Sequence, residues 1–236
     1  MTSTAPQAIR TIKTWDWGTR LFHWLLVAAI AVAFLSSEEG SALSPWHVPA
    51  GWVAAILIAF RLVWGFVGGE HARFVNLIRP SRMAGHVRGL FAGRVHASLG
   101  HNPLGGIAVI VLLALVAATT FTGITGGEDG HEAIAYMLLA TIALHVVAVV
   151  AMSFLTRDNL IGAMITGRKK TTHFPNAQDA APPARVAIPL AVLVVAGSAY
   201  AATRVDPLAF TPGTHGEAGE GGEGGEGDEA GERDED

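Results

Sequence analysis

Five stretches of the chain are apolar for long enough to cross a bilayer as helices: residues 21–37, 48–67, 104–125, 133–155 and 186–202. A helix spanning the hydrocarbon core takes about 20 apolar residues, within a range of about 17–25, and the second, third and fourth stretches meet that outright. The first is short, follows Lys13 and Arg20 and precedes small residues, which are also features of a signal peptide. Its twenty-residue lead with Trp15, Asp16 and Trp17 makes a poor leader region, so a retained first span is expected. The fifth is short too and contains Pro189. Between the second and third spans, Met83, Val87, Leu90, Phe91 and Val95 recur at helical spacing among Arg82, Arg88 and Arg94. That pattern predicts a helix lying at the membrane surface over 81–96, with a solvated basic loop as the alternative. Residues 159–166 repeat it more briefly. The fold class expected is an all-α integral membrane protein: a four-helix transmembrane bundle followed by a fifth transmembrane helix.

The basic residues orient this arrangement. Arg10, Lys13 and Arg20 precede the first span; Arg73, Arg79, Arg82, Arg88 and Arg94 lie between the second and third; Arg157, Arg168, Lys169, Lys170 and Arg185 lie between the fourth and fifth. These thirteen of the sixteen Lys and Arg residues fall on one side, which the positive-inside rule makes cytoplasmic. Glu38, Glu39, Glu128, Asp129 and Glu132 fall on the other. The C-terminal residues 216–236 are almost entirely Gly, Glu and Asp with scarcely a large apolar side chain. Such a segment buries too little surface to offset its ordering entropy and is expected to be disordered outside the membrane. It is either a solubilising tail or an anionic lure for cations or for a basic partner such as a soluble cytochrome c.

Composition narrows the chemistry. The chain of 236 residues is 50% hydrophobic and 15% charged, with mean hydropathy +0.40, net charge −4 and no cysteine. Soluble domains carry about 25% charged residues. Without cysteine there are no disulfides, thiolate zinc sites, iron–sulfur clusters or covalently attached c-type haem. Nothing points to nucleic-acid binding. Ten histidines remain as the strong nitrogen ligands.

An ionisable side chain inside a span is a functional candidate by default. His145 lies in an otherwise apolar run, and His131 opens the same helix fourteen residues earlier. At helical rise the two are about 21 Å apart along the axis and within about 40° of one face. That is too far for one metal ion and suits two separate cofactors stacked across the bilayer. His23 matches the depth of His145, near the cytoplasmic side, and His47 matches that of His131, near the external side. Two imidazoles facing each other across a haem give a six-coordinate iron that passes electrons and binds no substrate, and helix bundles build such sites. Taken one at a time, each histidine also reads as a structural helix-end or bundle residue.

Several stretches resemble a known family. Trp15, Asp16 and Trp17 with Thr19, Arg20, Leu21, Phe22, His23 and Trp24 look like the opening of the bacterial cytochrome b561 and nickel-hydrogenase b-type cytochrome family. His47 with Gly51, leading to Arg61, Leu62, Val63, Trp64, Gly65, Phe66, Val67 and Gly68, is similar to its second helix. Arg73 and Phe74, then Gly100, His101, Asn102, Pro103, Leu104 and Gly105, resemble its connection into the third. His131 and Glu132, the interval to His145, and Asn159 and Leu160 through Lys169 complete the likeness, which covers roughly 14–170. It implies a four-helix core with two b haems ligated by His23, His47, His131 and His145. Val48, Pro49 and Ala50 replace the acidic and aromatic residues usual after the second-helix histidine, leaving the ligand spacing intact. The fifth span and acidic tail lie beyond the likeness. The domains expected are a cytoplasmic segment 1–18, the di-haem core 19–170, a cytoplasmic linker 171–185, a fifth transmembrane helix 186–203 and a disordered acidic tail 204–236.

Around the histidines, Gly51 would let a haem disc approach the second helix, although a glycine at a helix contact is equally ordinary. Arg61 lies about 21 Å along from His47 on nearly the same face; it would neutralise an inner haem propionate or a quinone oxygen, or else snorkel to the surface. His101 and Asn102 stand near the inner depth, as hydrogen-bond partners for a quinone head group. Asn102 before Pro103 also reads as a helix cap. His71, His86, His96 and His173 read as unremarkable loop residues. The expectation is a transmembrane electron carrier of the bacterial inner membrane, linking a periplasmic redox partner to the quinone pool, with no catalytic residues of its own. The alternatives are the membrane anchor of a hydrogenase-like or other periplasmic dehydrogenase, a superoxide-oxidising quinone reductase, which the acidic outer loops disfavour, and a haem-free cation transporter.

Overall fold

The computed structural model of the chain describes residues 10–38, 40–77, 88–89 and 97–213. Five helices are long and apolar enough to cross a membrane: α1 (Trp17–Leu35), α2 (His47–Val67), α4 (Pro103–Thr125), α5 (Glu128–Thr156) and α7 (Ala187–Val205). Two short helices, α3 (Phe74–Leu77) and α6 (Leu160–Thr166), accompany them, together with 3₁₀ turns before α2 and after the strand that follows α6. The spans therefore lie where apolar run length places them. The surface helix expected over 81–96, apart from residues 88–89, and the acidic stretch 216–236 fall outside the described residues.

Several span ends rest on recognisable chemistry. The Asp16 side chain accepts the Thr19 amide at 2.9 Å and caps α1. Asn102 does the same for α4 through the Gly105 amide, with Pro103 in the first turn, where its missing N–H costs nothing. Gly126 ends α4 at φ 75°, a left-handed conformation that glycine adopts without strain. Pro189 sits in the first turn of α7 and leaves that helix intact.

The helix α2 lies at the centre, packed against α1, α4 and α7. Ala29 of α1, Ala54 and Ile58 of α2, Val116 of α4 and Leu138 of α5 form one buried apolar cluster that joins four helices. Outward-facing side chains such as Phe66, Leu144, Phe154 and Leu193 are apolar and exposed, as lipid requires. The fifth helix is fastened to α2 at both ends. At its start the Ala184 amide donates to Val67 O; at its end the Trp52 indole donates to Asp206 at 3.1 Å and the Gly213 amide to Pro45 O. This corrects the expectation that disorder begins at 204: α7 continues to Val205, and 206–213 are held against the start of α2.

At the end where α1 begins, strands β1 (Thr11–Lys13) and β2 (Arg168–Lys170) pair antiparallel and tie the N-terminal segment to the chain beyond α6. Lys169 points inward, 3% exposed, and forms an ion pair with Asp158 at 2.9 Å while donating to Ser98 O at 2.8 Å. Arg20 donates to Met164 O and Ile165 O, satisfying carbonyls at the end of α6.

Candidate functional site

The fold brings histidines together at two levels. At the end where α1 finishes, His47 opens α2 and His131 lies in the first turn of α5. Their ring centres are 5.9 Å apart, with planes inclined at 78°. The His47 Nδ1 lies 2.8 Å from Ala33 O, and the His131 Nδ1 lies 2.9 Å from Thr119 O. A carbonyl can only accept, so each Nδ1 must carry the proton and donate it. In the neutral ring each Nε2 then has a free lone pair, the tautomer a metal ligand requires. Ala33 O is near the end of α1, where the last carbonyls lack helical partners.

Small residues admit these rings. A Cβ on Gly123 would lie 3.1 Å from the His131 ring, so a larger residue there would crowd the imidazole. A Cβ on Gly51, one helical turn in from His47, would meet no protein atom within 4 Å. The space beside that turn of α2 is thus open to a flat ligand.

At the other level, His23 sits in the second turn of α1, with its Nδ1 buried and without a protein hydrogen-bond partner. Its ring lies edge-on to Trp24, 5.0 Å between centres, and within electrostatic reach of His145 on α5. The two levels are joined by α5 itself, which carries both His131 and His145.

Arg61 reaches the same region from α2. It is 2% exposed, lies between Phe22 and Phe74, and donates through Nη2 to Ala72 O at 2.9 Å. Its Nη1 is buried with no protein partner. The snorkelling alternative therefore fails: the carbonyl of Ala72 and two aromatic faces hold the guanidinium inside the bundle. His101 is beside it, Nδ1 likewise buried and unpartnered, with its ring edge-on to Trp15 at 4.7 Å. Burial, then the positive charge of Arg61 and of further neighbours including Lys169, pushes the His101 imidazole down to about 3, so it is neutral at physiological pH. Asn102 commits its side-chain oxygen to the α4 cap, leaving only its amide N–H groups for a ligand.

Two features escaped the sequence reading. His71, read as a loop residue, packs its ring against Trp15 at 6.0 Å and belongs to this cluster. Asp16 also binds Trp64: the indole, 0% exposed, donates to Asp16 Oδ1 at 2.9 Å. The quoted aromatic motif was the available signal for both. His86, His96 and His215 lie outside the described residues.

Among the described residues no three His, Asp or Glu side chains converge on one point. Imidazoles that meet in pairs suit a metal that brings its own equatorial ligands, as an iron porphyrin does. With metal–nitrogen bonds of about 2 Å, two imidazoles sharing one ion place their ring centres about 6 Å apart, and the His47–His131 pair fits that requirement.

Comparisons with known proteins agree with this chemistry. The sequence profile of prokaryotic cytochrome b561 matches residues 14–167. A probable Ni/Fe-hydrogenase B-type cytochrome subunit of Azotobacter vinelandii is 27% identical, over 63% of this chain and 84% of its own. Proteins of the same description from Azotobacter chroococcum mcd 1 and Bradyrhizobium diazoefficiens are 33% and 23% identical, over 45% and 68% of this chain and 54% and 86% of theirs. No solved structure gives a significant match.

Proposed function

The chain belongs to the prokaryotic cytochrome b561 family, and we propose that it carries electrons across the bacterial inner membrane through two bis-histidine b haems, between a periplasmic redox partner and the quinone pool. Family membership makes it a membrane-embedded b-type cytochrome and sets aside the haem-free transporter; haem supplies one-electron redox chemistry at its iron. The observation that carries the finer reading is the His47–His131 pair, each ring donating from Nδ1 to a backbone carbonyl. In this reading His47 and His131 present Nε2 to the outer haem, and His23 and His145 hold the inner one.

The remaining residues bind, orient and insulate. Gly51 leaves room for a macrocycle beside α2. Arg61 Nη1 and the neutral His101, two buried groups with hydrogen-bonding capacity to spare, face the inner level; there they hold a propionate or the head group of a quinone, with the Asn102 amide beside them. The apolar cluster between the levels excludes water. The concentration of basic residues at the end where α1 begins supports a reading with that end and the N-terminus in the cytoplasm and the C-terminal residues in the periplasm.

The partner reading favoured by the relatives is a hydrogenase-like enzyme, because proteins described as its b-type cytochrome subunit align over 84% and 86% of their own lengths. Copurification of a second redox subunit separates a membrane anchor from a self-contained carrier that meets a soluble cytochrome c.

The haem-to-protein ratio tests the assignment. Two haems per chain are expected in the wild type, falling towards one in His145→Ala with the outer haem retained, and towards one in His131→Ala with the inner haem retained. A ratio unchanged by either substitution removes that residue from the ligand set.

A further inference from the structure

The carbonyls that orient the outer imidazoles each take a second donor. Ala33 O, which receives the His47 Nδ1–H, also lies 3.1 Å from the hydroxyl of Ser36, a residue only 2% exposed. Thr119 O, which receives the His131 Nδ1–H, also lies 3.0 Å from the hydroxyl of Thr122. In both cases the hydroxyl belongs to the residue three positions further along the chain. Each hydroxyl has one proton and shares it with the carbonyl one position earlier, Val32 O at 2.7 Å and Ala118 O at 2.9 Å. Serines and threonines commonly back-bond within helices, and Thr120 and Thr125 do so here. Ser36 and Thr122 differ in landing on the two carbonyls that hold the rings.

We infer that Ser36 and Thr122 are positioning residues that set the reduction potential of the outer haem by sharing the acceptors of His47 and His131. The inference rests on the di-haem reading above. An imidazole that donates strongly from Nδ1 becomes a more basic, more electron-rich ligand and favours the oxidised metal. A carbonyl oxygen that also accepts a hydroxyl proton has less electron density for the ring, so its pull on the Nδ1–H weakens. The hydroxyls thus moderate the donor strength of both outer ligands and hold that centre at a higher potential than the imidazole–carbonyl bonds alone would give. Because the two hydroxyls sit on opposite ligands and on different helices, their effects should add.

The test is a mediated redox titration of the purified full-length chain in detergent, followed in the α-band, with haem content measured alongside. The component lost in His131→Ala identifies the outer haem. Ser36→Ala and Thr122→Val should each lower the reduced-to-oxidised ratio of that component about threefold at the wild-type midpoint. The double variant should lower it about tenfold, equivalent to about 59 mV for a one-electron couple. Haem content and the inner component should stay as they are. Ser36→Thr and Thr122→Ser, which restore a hydroxyl, should return the wild-type potential. Thr120→Val, which removes a back-bond that reaches neither ring, should move nothing. Two haems with an outer potential unmoved, raised, or shifted equally by Thr120→Val overturn the role of the hydroxyls. A wild type with fewer than two haems, or one that keeps both in His131→Ala, overturns the di-haem reading and this inference with it.

Discussion

Replacing Asp16 with alanine should destabilise the protein by about 2–4 kcal/mol, far more than a typical polar contact between membrane helices. Its carboxylate accepts three hydrogen bonds: from the Thr19 amide at 2.9 Å, the Thr19 hydroxyl at 2.8 Å and the Trp64 indole at 2.9 Å. Losing the cap costs about 1 kcal/mol, within a range of about 0.5–2. Truncation also strands the indole N–H of a side chain with 0% exposure, and an unsatisfied buried donor costs about 1–3 kcal/mol. Interhelical hydrogen bonds in membranes average only about 0.6 kcal/mol, because the unfolded state usually finds another partner. Trp64 cannot do so while α2 stays packed. Asp16→Asn keeps an acceptor for both N–H groups and should cost about 1 kcal/mol. At about 2–4 °C per kcal/mol for a chain of this size, the alanine variant should melt roughly 4–16 °C below the wild type and the asparagine variant within about 4 °C of it. Loss of the Soret circular dichroism on heating in detergent reads this directly. Equal melting temperatures for the two variants would refute the reasoning, since the cap and the indole bond would then contribute nothing that an amide oxygen restores.

Gly123→Val should displace the His131 ring, which a Cβ there already approaches to 3.1 Å, and haem stoichiometry should fall towards one. Gly51→Leu meets no protein obstacle near its Cβ, so a matching loss of the outer haem, measured by pyridine haemochrome assay, locates the macrocycle beside α2. With His101 held down to about 3 against 6.5 unfolded, the unfolded state binds more protons between those values. Its contribution is intact above about pH 6.5 and weakens by about 2 kcal/mol at pH 5; acid melting curves of His101→Phe should be flatter there than those of the wild type. Lys169→Met should cost about 3–5 kcal/mol by leaving Asp158 buried and unpaired, and adding Asp158→Leu should recover most of the loss in the same melts.

The spans were legible because lipid leaves a chain few options: backbone polar groups must be satisfied internally, and apolar length announces where. The caps at Asp16 and Asn102 were equally local, with donor and acceptor within three residues. The tiering of His131 and His145 followed from one helix's geometry. What escaped was set by contacts between distant segments. Nothing near Arg61 in sequence says that Ala72 O will hold its guanidinium inside the bundle. The Trp52–Asp206 bond joins positions 154 residues apart, so the tail was read as starting too early. His71 looked like a loop residue because its partner Trp15 lies in another part of the chain. The acceptors of His47 and His131 are backbone carbonyls, which carry no sequence signature at all.

The central place of α2 has a mechanical reason. Two helices each carry two of these side chains, one at each level: α5 through His131 and His145, and α2 through His47 and Arg61. On each helix the two groups are fourteen residues apart, about 21 Å at helical rise. The separation between the levels is therefore fixed within each helix, and only relative sliding of α2 and α5 can misalign them. Both ends of α2 are fastened to other segments. Trp64 is bonded to Asp16 and Arg61 to Ala72 at one end. Trp52 is bonded to Asp206 and Pro45 O accepts from Gly213 at the other. The fifth helix, which carries none of the four histidines, thus serves to hold both ends of α2 in place.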